Sequence, residues 1–195
     1  MPLRKDFERL ERVEVSSADA LWDWLEAHHG QDESVALVTF KKSVPAKYVS
    51  RDEVLDALLA YGWIDGARHA LDAERTMQLI APRRTQHWSK SYKDRVARLR
   101  REGRMKAPGE RAVEAGKKSG LWTFMDDVDA LIVPGDLRAA LDARAGAAAF
   151  FDGAAPSYRR NVLRWVKLAK TAPTRDKRIA KAALLSAEGR KVPQR

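Results

Sequence analysis

Residues 50–82 read SRDEVLDALLAYGWIDGARHALDAERTMQLIAP, and this stretch joins one helix signal to two strand signals. Ser50 and Glu53 form a capping box, in which the serine hydroxyl accepts an amide hydrogen of the first helical turn and the glutamate reaches back. The helix is expected to stop at Gly62, since glycine is the common residue just beyond a helix C-terminus. Two strands are predicted next, over 63–71 and 75–81. A helix followed directly by a hairpin indicates the α+β class.

The flanking segments complete an N-terminal domain, which we predict over residues 1–118. A helix over 17–29 begins at a serine cap, and the apolar, β-branched segment 34–42 is typical of a buried strand. Apolar residues at helical spacing predict two further helices, over 90–101 and 108–118. This order of elements predicts a small antiparallel sheet covered by helices.

The remainder of the chain has a helical pattern. Four helices are predicted there, over 136–145, 147–152, 156–170 and 174–187. Pro134 and Gly135 stand before the first of them, and this pair is a strong turn signal. We therefore expect a connecting segment over 119–133 and an all-helical C-terminal module over 134–195.

Positive charge is concentrated in two segments of the sequence. The net charge is +10, with 12 basic and two acidic residues in 155–195, and 13 basic and four acidic residues in 82–118. The rest of the chain holds 21 acidic and 12 basic residues. Such separation suits an acidic protein or a nucleic acid as partner, and a solvated basic helix surface is the competing interpretation.

Cysteine is absent from the sequence, which excludes disulfides, a thiolate nucleophile and cysteine-ligated zinc. The same absence fits a reducing compartment. No apolar run reaches the ~20 residues of a membrane span, and no apolar region follows the basic N-terminal residues as it does in a signal peptide. We therefore expect a cytoplasmic protein without a membrane span.

Cations, aromatic rings and hydroxyl groups are interleaved in residues 81–93, between the second hairpin strand and the following helix. Such a turn directs backbone N–H groups at an anion, two arginines offer forked donors, and a tryptophan offers a stacking surface. The predicted anion- or ligand-binding residues of this segment are Arg83, Arg84, His87, Trp88, Ser89 and Lys90. In the competing interpretation, the two arginines pair with acidic residues of the first half and Trp88 anchors the core.

Asp65 lies among apolar residues near the start of the first hairpin strand, close to Trp63, and both residues join the predicted ligand site. A buried carboxylate needs a partner, and Arg83 or Arg84 across the hairpin is a candidate. We favour this structural role for Asp65 over the role of a catalytic acid, because ion-pair networks also perturb carboxylates.

No metal, cofactor or catalytic site is indicated by the sequence. The four histidines, at positions 28, 29, 69 and 87, lack the carboxylate spacing of a zinc or iron site. We find no P-loop, dinucleotide-binding glycine motif or nucleophile elbow. We therefore predict no cofactor and no metal, and we expect a non-enzymatic protein.

The last two predicted helices carry a second candidate surface, for a polyanion. Their cations outside the apolar stripe are Arg159, Arg160, Arg164, Lys167, Lys170, Arg175, Lys177, Arg178 and Lys181. Phosphate binding by such a surface would be largely independent of sequence and would weaken steeply with salt. The competing interpretation pairs these cations with the acidic first half. We favour the pairing, because Tyr158 and Trp165, the aromatic side chains that might stack on bases, fall on the buried stripe.

Several ordered motifs carry a family resemblance that covers nearly the whole chain. In the first half they are Gly62-Trp63-Ile64-Asp65, Ala81-Pro82-Arg83-Arg84, Trp88-Ser89-Lys90, and Leu99 followed by Gly103-Arg104-Met105. In the second half they are Leu163-Arg164-Trp165, Ala169-Lys170, Thr174-Arg175, Arg178-Ile179-Ala180-Lys181 and Gly189. Together they resemble the YdeI/OmpD-associated family, also called bacteriocin-protection proteins. Gly66 and Tyr92 depart from the family pattern, in which we expect Ser and Asn.

The resemblance implies a bacterial protein that protects against bacteriocins and is associated with an outer-membrane porin, and it brings no catalytic residues. Direct porin contact would require an export signal, which we do not find in the sequence. We therefore rank three hypotheses. The first is a non-enzymatic stress or bacteriocin-protection protein that binds an anionic ligand or acidic partner. The second is a nucleic-acid-binding protein that uses the basic C-terminal helices, and the third is an enzyme acting on a small anionic substrate.

Overall fold

The structure is a computed structural model, and it describes residue 7 and residues 9–193. The chain divides into two compact units, Met1–Thr123 and Phe124–Arg195. The first unit combines a sheet with helices, whereas the described residues of the second are helical or without regular structure. The predicted α+β class, with an all-helical C-terminal region, is therefore confirmed.

A four-stranded sheet forms the centre of the first unit. Its strands are β1 (Arg12–Glu14), β2 (Val35–Phe40), β3 (Trp63–Ala70) and β4 (Arg75–Pro82), and their order in the sheet is β1-β2-β4-β3. β2, β4 and β3 pair antiparallel as predicted, whereas β1 pairs parallel with β2 and makes the sheet mixed. The sequence prediction omitted β1, because three residues are too few to display a strand pattern.

The first unit also contains helices, of which the first two pack against the sheet and the next two pack against the second helix. They are α1 (Ala18–His28), α2 (Arg51–Ala60), α3 (Lys90–Arg101) and α4 (Ala107–Lys118), with a 3-10 turn at Pro45–Lys47 between β2 and α2. Ser17 caps α1, and the predicted capping box of Ser50 and Glu53 begins α2. At Gly109, α4 approaches α2 so closely that a Cβ would lie 2.2 Å from the carbonyl oxygen of Ala60.

β2 has all six residues buried, as its apolar sequence predicts for a strand covered on both faces. Val35 and Leu37 belong to the apolar cluster that includes residues of α1 and α2. Ala36 and Val38 belong to a second cluster, which includes Met77 of β4. This alternation places the first unit's main core between the sheet and its first two helices.

The second unit consists of helices around one apolar core. They are α5 (Asp126–Asp129), α6 (Gly135–Asp142), α7 (Ala147–Gly153), α8 (Pro156–Lys167) and α9 (Ala172–Ala187). Leu137, Leu141 and Phe151 are fully buried in this core. Pro173 lies in the first turn of α9, whereas the sequence placed it before the helix. A proline is tolerated there, because the backbone N–H groups of the first turn have no partner within the helix in any case.

The segment predicted as a connection, 119–133, contributes to both units. Trp122 packs beside Trp88 within the first unit. Met125 and Val128 are buried in the core of the second unit. Apolar side chains within this acidic segment therefore belong to the two cores, and the boundary between the units follows Thr123.

Candidate functional site

Arg83 begins the loop between β4 and α3, and aromatic rings enclose its guanidinium group. Its Cζ atom lies 3.9 Å from the ring centroid of Trp88 and 5.1 Å from that of Tyr92. Nη1 donates to the backbone carbonyl groups of Gln86 and His87, at 3.2 and 3.3 Å. The loop is therefore folded around the arginine side chain, which stacks on the tryptophan.

Trp88 is fixed within the first unit and is only 1% exposed. Its backbone N–H donates to the carbonyl group of Leu121 at 3.0 Å, and its ring centroid lies 5.1 Å from that of Trp122. The indole Nε1 lies so close to Gly116 that a Cβ there would be 2.4 Å away. A ring enclosed in this way has no face on which a base or another ligand can stack.

Asp65 lies close to this stack and has other direct partners. The hydroxyl group of Tyr92 donates to its Oδ1 atom, and the Nε2 atom of Gln78 donates to Oδ2 at 3.3 Å. Burial, followed by the hydrogen bond to Asp65, raises the pKa of Tyr92. Burial lowers the pKa of Arg83 to about 10, although Tyr92 and Asp65 oppose this shift. The carboxylate therefore acts on the arginine through space.

Burial also leaves part of Arg83 without hydrogen bonds. Its Nε and Nη2 atoms are buried and have no partner. Each such donor costs ~1–3 kcal/mol of desolvation, which offsets part of the stacking energy. The side chain is thus placed by packing, and its donors do not point into an open cleft.

Two other predicted residues of this site have separate contacts. Trp63 is buried, and its Nε1 atom donates to the carbonyl group of His29 at 3.2 Å. Arg84 pairs with Asp32 at 3.0 Å, and both side chains are exposed. The pair Arg84–Asp32 agrees with the interpretation in which both arginines pair with the acidic first half and Trp88 anchors the core, whereas Arg83 stacks on Trp88 instead.

The start of α3 is held by contacts within its own first turns. Lys90 pairs with Asp94 at 2.8 Å. Ser89 is the N-cap residue of α3, and its hydroxyl oxygen lies 3.0 Å from that of Ser91. His87 reaches the stack through its backbone carbonyl group. The predicted site residues are therefore brought together only in part, around a buried cation.

In the second unit, four cations of the predicted polyanion surface are held by aspartates of the same unit. The pairs are Arg159–Asp152 at 3.8 Å, Arg160–Asp129 at 3.7 Å, Lys167–Asp127 at 2.6 Å and Arg175–Asp136 at 2.7 Å. The hydrogen bond from Arg175 lowers the pKa of Asp136. The sequence predicted that acidic residues of the first half pair with these cations. The structure supplies the partners from residues 127–152 instead, and these aspartates neutralise much of the basic surface locally.

A second stacked pair, Arg178 and Trp165, joins α9 to α8. The Nη1 atom of Arg178 donates to the backbone carbonyl group of Trp165, and its Cζ atom lies 5.3 Å from the ring centroid. Unlike Trp88, Trp165 is only partly buried, although it packs against the helical core. Tyr158 and Trp165 were both predicted to lie on the buried stripe of α8. Tyr158 is buried as predicted, whereas Trp165 is only partly buried.

A groove of about 520 Å³ opens beside Trp165, between α8, α9 and the segment that follows α9. It is lined by two cations, one amide and five apolar side chains: Arg164, Lys181, Asn161, Val162, Trp165, Leu168, Val192 and Pro193. The C-terminal segment is fixed there, because the backbone N–H of Val192 donates to the hydroxyl group of Tyr158 at 3.0 Å. The groove therefore combines positive charge with a partly apolar wall.

The sequence predicted the two cations of the groove as part of a basic surface, but it did not predict that a groove lies between them. Arg164 and Lys181 belong to the predicted polyanion surface, whereas Asn161, Leu168 and the segment after α9 were not singled out. The spacing of Asn161, Arg164, Trp165 and Leu168 at intervals of three and four residues is the signal that places them on one face of α8. The contribution of the C-terminal segment depends on tertiary packing, which no local pattern encodes.

Neither a metal site nor a membrane-spanning helix is found among the described residues. Within residue 7 and residues 9–193, no group of three or more His, Asp or Glu side chains is arranged to hold a metal ion. Over the same residues, the structure contains no helix with the length and apolar character needed to cross a membrane.

The fold and the groove define a class of protein with two units. The α+β unit contains a cation–aromatic stack in its interior, and the helical unit carries a basic groove. Residues 13–112 match the model of a family described as a domain of unknown function, DUF8412. This match spans more than half of the sequence, and the chain belongs to that family. Residues 130–189 match the family described as bacteriocin-protection, YdeI or OmpD-associated.

These matches confirm the family resemblance and locate it. The YdeI or OmpD-associated domain occupies most of the helical unit, whereas the first-half motifs, such as Gly62–Asp65, fall within the region matched by the other family. The resemblance is thus shown over 130–189 rather than over nearly the whole chain. No curated protein and no solved structure matched the sequence.

Proposed function

We propose that this chain is a non-enzymatic bacteriocin-protection protein whose helical unit binds an acidic partner in the groove beside Trp165. The observation that supports this proposal is the composition of the groove, in which Arg164 and Lys181 accompany an apolar wall. Its volume lies within the ~300–1,000 Å³ of typical ligand sites. The two cations of the groove attract carboxylate groups, so the site suits an acidic partner.

The distribution of charge supports an acidic polypeptide over a nucleic acid. Phosphate-backbone binding relies on many unneutralised cations that follow the polyanion. In the second unit, four of the nine predicted surface cations are paired with aspartates, and these carboxylates would repel a phosphate chain. Arg164 and Lys181 line one groove from two different helices, and a site of this size suits a short acidic segment.

The protective role comes from the family description, and the binding chemistry comes from the groove. Bacteriocin protection is in the name of the family that matches residues 130–189. We place the activity in the cytoplasm, which the cysteine-free sequence permits. The acidic partner is then a cytoplasmic polypeptide.

Binding of the full-length chain to poly-L-glutamate at low salt tests the binding step. The variant Arg164→Glu/Lys181→Glu reverses both groove charges, and we expect it to lose at least about tenfold in affinity, because the carboxylates then meet like charge. The matched control is Lys170→Glu/Lys177→Glu, which makes the same charge change at exposed positions outside the groove lining. Equal losses in the two variants would contradict a groove and indicate a general charge effect.

Survival of bacteria challenged with a bacteriocin tests the biological role. Cells that produce the wild-type chain or the Lys170→Glu/Lys177→Glu control should survive better than cells that produce Arg164→Glu/Lys181→Glu at the same level. Equal protection by all three chains would show that protection does not depend on the charges of the groove. Tight binding of duplex DNA that only the groove variant loses would favour the nucleic-acid hypothesis instead.

A further inference from the structure

We infer that the groove recognises a peptide segment in which aliphatic or aromatic side chains lie beside carboxylates, rather than an acidic chain as such. This inference rests on the proposed function and specifies the ligand of the same site. The groove cations account for attraction to any carboxylate. The apolar lining adds a requirement that negative charge alone does not meet.

The apolar wall is exposed where a ligand would enter. Leu168 follows the last residue of α8, and it is 40% exposed although it lines the groove. Trp165 is partly buried beside it, and Pro193 lies in the lining as an exposed residue. An apolar side chain placed on this wall would remove both surfaces from water, which is favourable in proportion to the area covered.

The polar lining is suited to a peptide backbone. The side-chain amide of Asn161 offers both donors and an acceptor, which matches the alternating N–H and C=O groups of an extended peptide. Arg164 provides a planar set of donors for a carboxylate, and Lys181 provides a point charge on the other helix. A space of about 520 Å³ is also far larger than a single inorganic anion requires.

The stacked pair argues against nucleotide bases as the apolar part of the ligand. Sequence-tolerant binding of single strands requires open aromatic faces on which bases stack. The ring of Trp165 is already in contact with the guanidinium group of Arg178, which lies outside the groove lining, and the ring packs against the helical core. The surface that remains is better suited to a branched aliphatic side chain or to the edge of a ring.

Two labelled peptides of equal charge test the inference on the full-length chain. One is acetyl-Asp-Leu-Asp-Leu-Asp-amide, and the other has alanine in place of each leucine. We expect the leucine peptide to bind about tenfold more tightly, because its side chains bury additional apolar surface. Leu168→Asn should remove most of this preference, whereas the control Leu184→Asn should keep it, since Leu184 is similarly exposed but lies outside the groove lining.

The peptide experiments can contradict this inference without contradicting the proposed function. Equal affinity for the two peptides, with loss of both in Arg164→Glu/Lys181→Glu, would overturn the apolar requirement and leave the acidic-partner function intact. Equal effects of Leu168→Asn and Leu184→Asn on the leucine peptide would also overturn it. Absence of binding to both peptides and to poly-L-glutamate would overturn the inference together with the function on which it rests.

Discussion

Each unit contains an arginine stacked on a tryptophan, and the two pairs have different surroundings. In the first unit, Arg83 lies 3.9 Å from the ring of Trp88, which is 1% exposed. In the second unit, Arg178 lies 5.3 Å from the ring of Trp165, which is partly buried and lines a groove. The tryptophan of the first pair therefore belongs to the core, whereas the tryptophan of the second lines a candidate site.

The difference shows that exposure and existing partners decide what a cation–aromatic pair does. Around Arg83, which is itself partly buried, the guanidinium group contacts aromatic rings and backbone carbonyl groups, and two of its nitrogen atoms are buried without a hydrogen-bond partner. Around Trp165, two further cations and an exposed leucine share one groove. We therefore expect changes in the first region to alter stability, and changes in the second to alter binding.

Alanine in place of each tryptophan should give the largest contrast. Trp88→Ala removes a fully buried ring and leaves a cavity, so we expect a loss of about 3–5 kcal/mol in the free energy of unfolding. Trp165→Ala removes a partly buried ring, and we expect a smaller loss of about 1–2 kcal/mol. Urea unfolding of the full-length chain, followed by circular dichroism, measures both changes.

For peptide affinity, the order of the two effects should be reversed, with the larger loss in Trp165→Ala. Trp165→Ala should weaken binding of acetyl-Asp-Leu-Asp-Leu-Asp-amide, because it removes part of the apolar wall. Trp88→Ala should leave the affinity unchanged at a temperature where the variant is folded. If Trp88→Ala removed binding while the helical unit stayed folded, the assignment of the two regions would be reversed.

A smaller effect is expected when the support of Trp88 is changed instead of the ring itself. In Gly116→Ala, the new methyl group would lie 2.4 Å from the indole Nε1 atom, so that the ring or α4 must shift. We expect a loss of about 1–3 kcal/mol in the free energy of unfolding. Gly30→Ala is the control, because no atom lies within 4 Å of a Cβ at that position. Equal stability of the two variants would show that Trp88 is not held as tightly as its contacts indicate.

The smallest effect concerns the ion pairs that neutralise cations outside the groove. Asp136 has its pKa lowered by the hydrogen bond from Arg175, below its ordinary value of 3.8. The stabilising contribution of a carboxylate with a lowered pKa is complete above that ordinary value and is lost as the pH falls through the lower folded-state value. Asp136→Asn should therefore cost a few tenths of a kcal/mol at neutral pH, since the carboxylate is half-exposed and screened by solvent.

A pH series of unfolding measurements tests this sign. The difference between wild type and Asp136→Asn should shrink as the pH falls below 3.8 and should be constant between pH 5 and 8. A difference that grew in acid would mean that the pair does not stabilise the helical unit. The local pairing of four surface cations with aspartates would then contribute nothing to stability.

The sequence predicts the elements better than it predicts their surroundings. The capping box at Ser50 and the helix Lys90–Arg101 were predicted correctly, because caps and helical periodicity are local signals. β1 was omitted, because its three residues are ordered by a parallel partner that is distant in sequence. Local patterns thus account for most of the fold, and pairing between distant segments accounts for the remainder.

For the candidate site, the sequence identified residue types but not their exposure. Segment 81–93 has the composition of an anion site, yet Trp88 and Arg83 are enclosed by α3, α4 and the residues that follow α4. Trp165 lies at a core spacing on α8, yet a groove opens on one side of it, where Val192 and Pro193 complete the lining. Both outcomes depend on tertiary packing, which charge and periodicity do not specify.

The most direct test of the contrast is to observe the tryptophans while a ligand binds. In a chain labelled with 5-fluorotryptophan, each of the six tryptophans gives a ¹⁹F resonance, and Trp165→Phe and Trp88→Phe assign two of them. On titration with acetyl-Asp-Leu-Asp-Leu-Asp-amide, our account predicts that the Trp165 resonance shifts and that the Trp88 resonance stays in place. A shift of the Trp88 resonance with an unchanged Trp165 resonance would contradict the account and would move the binding site to the Arg83 loop.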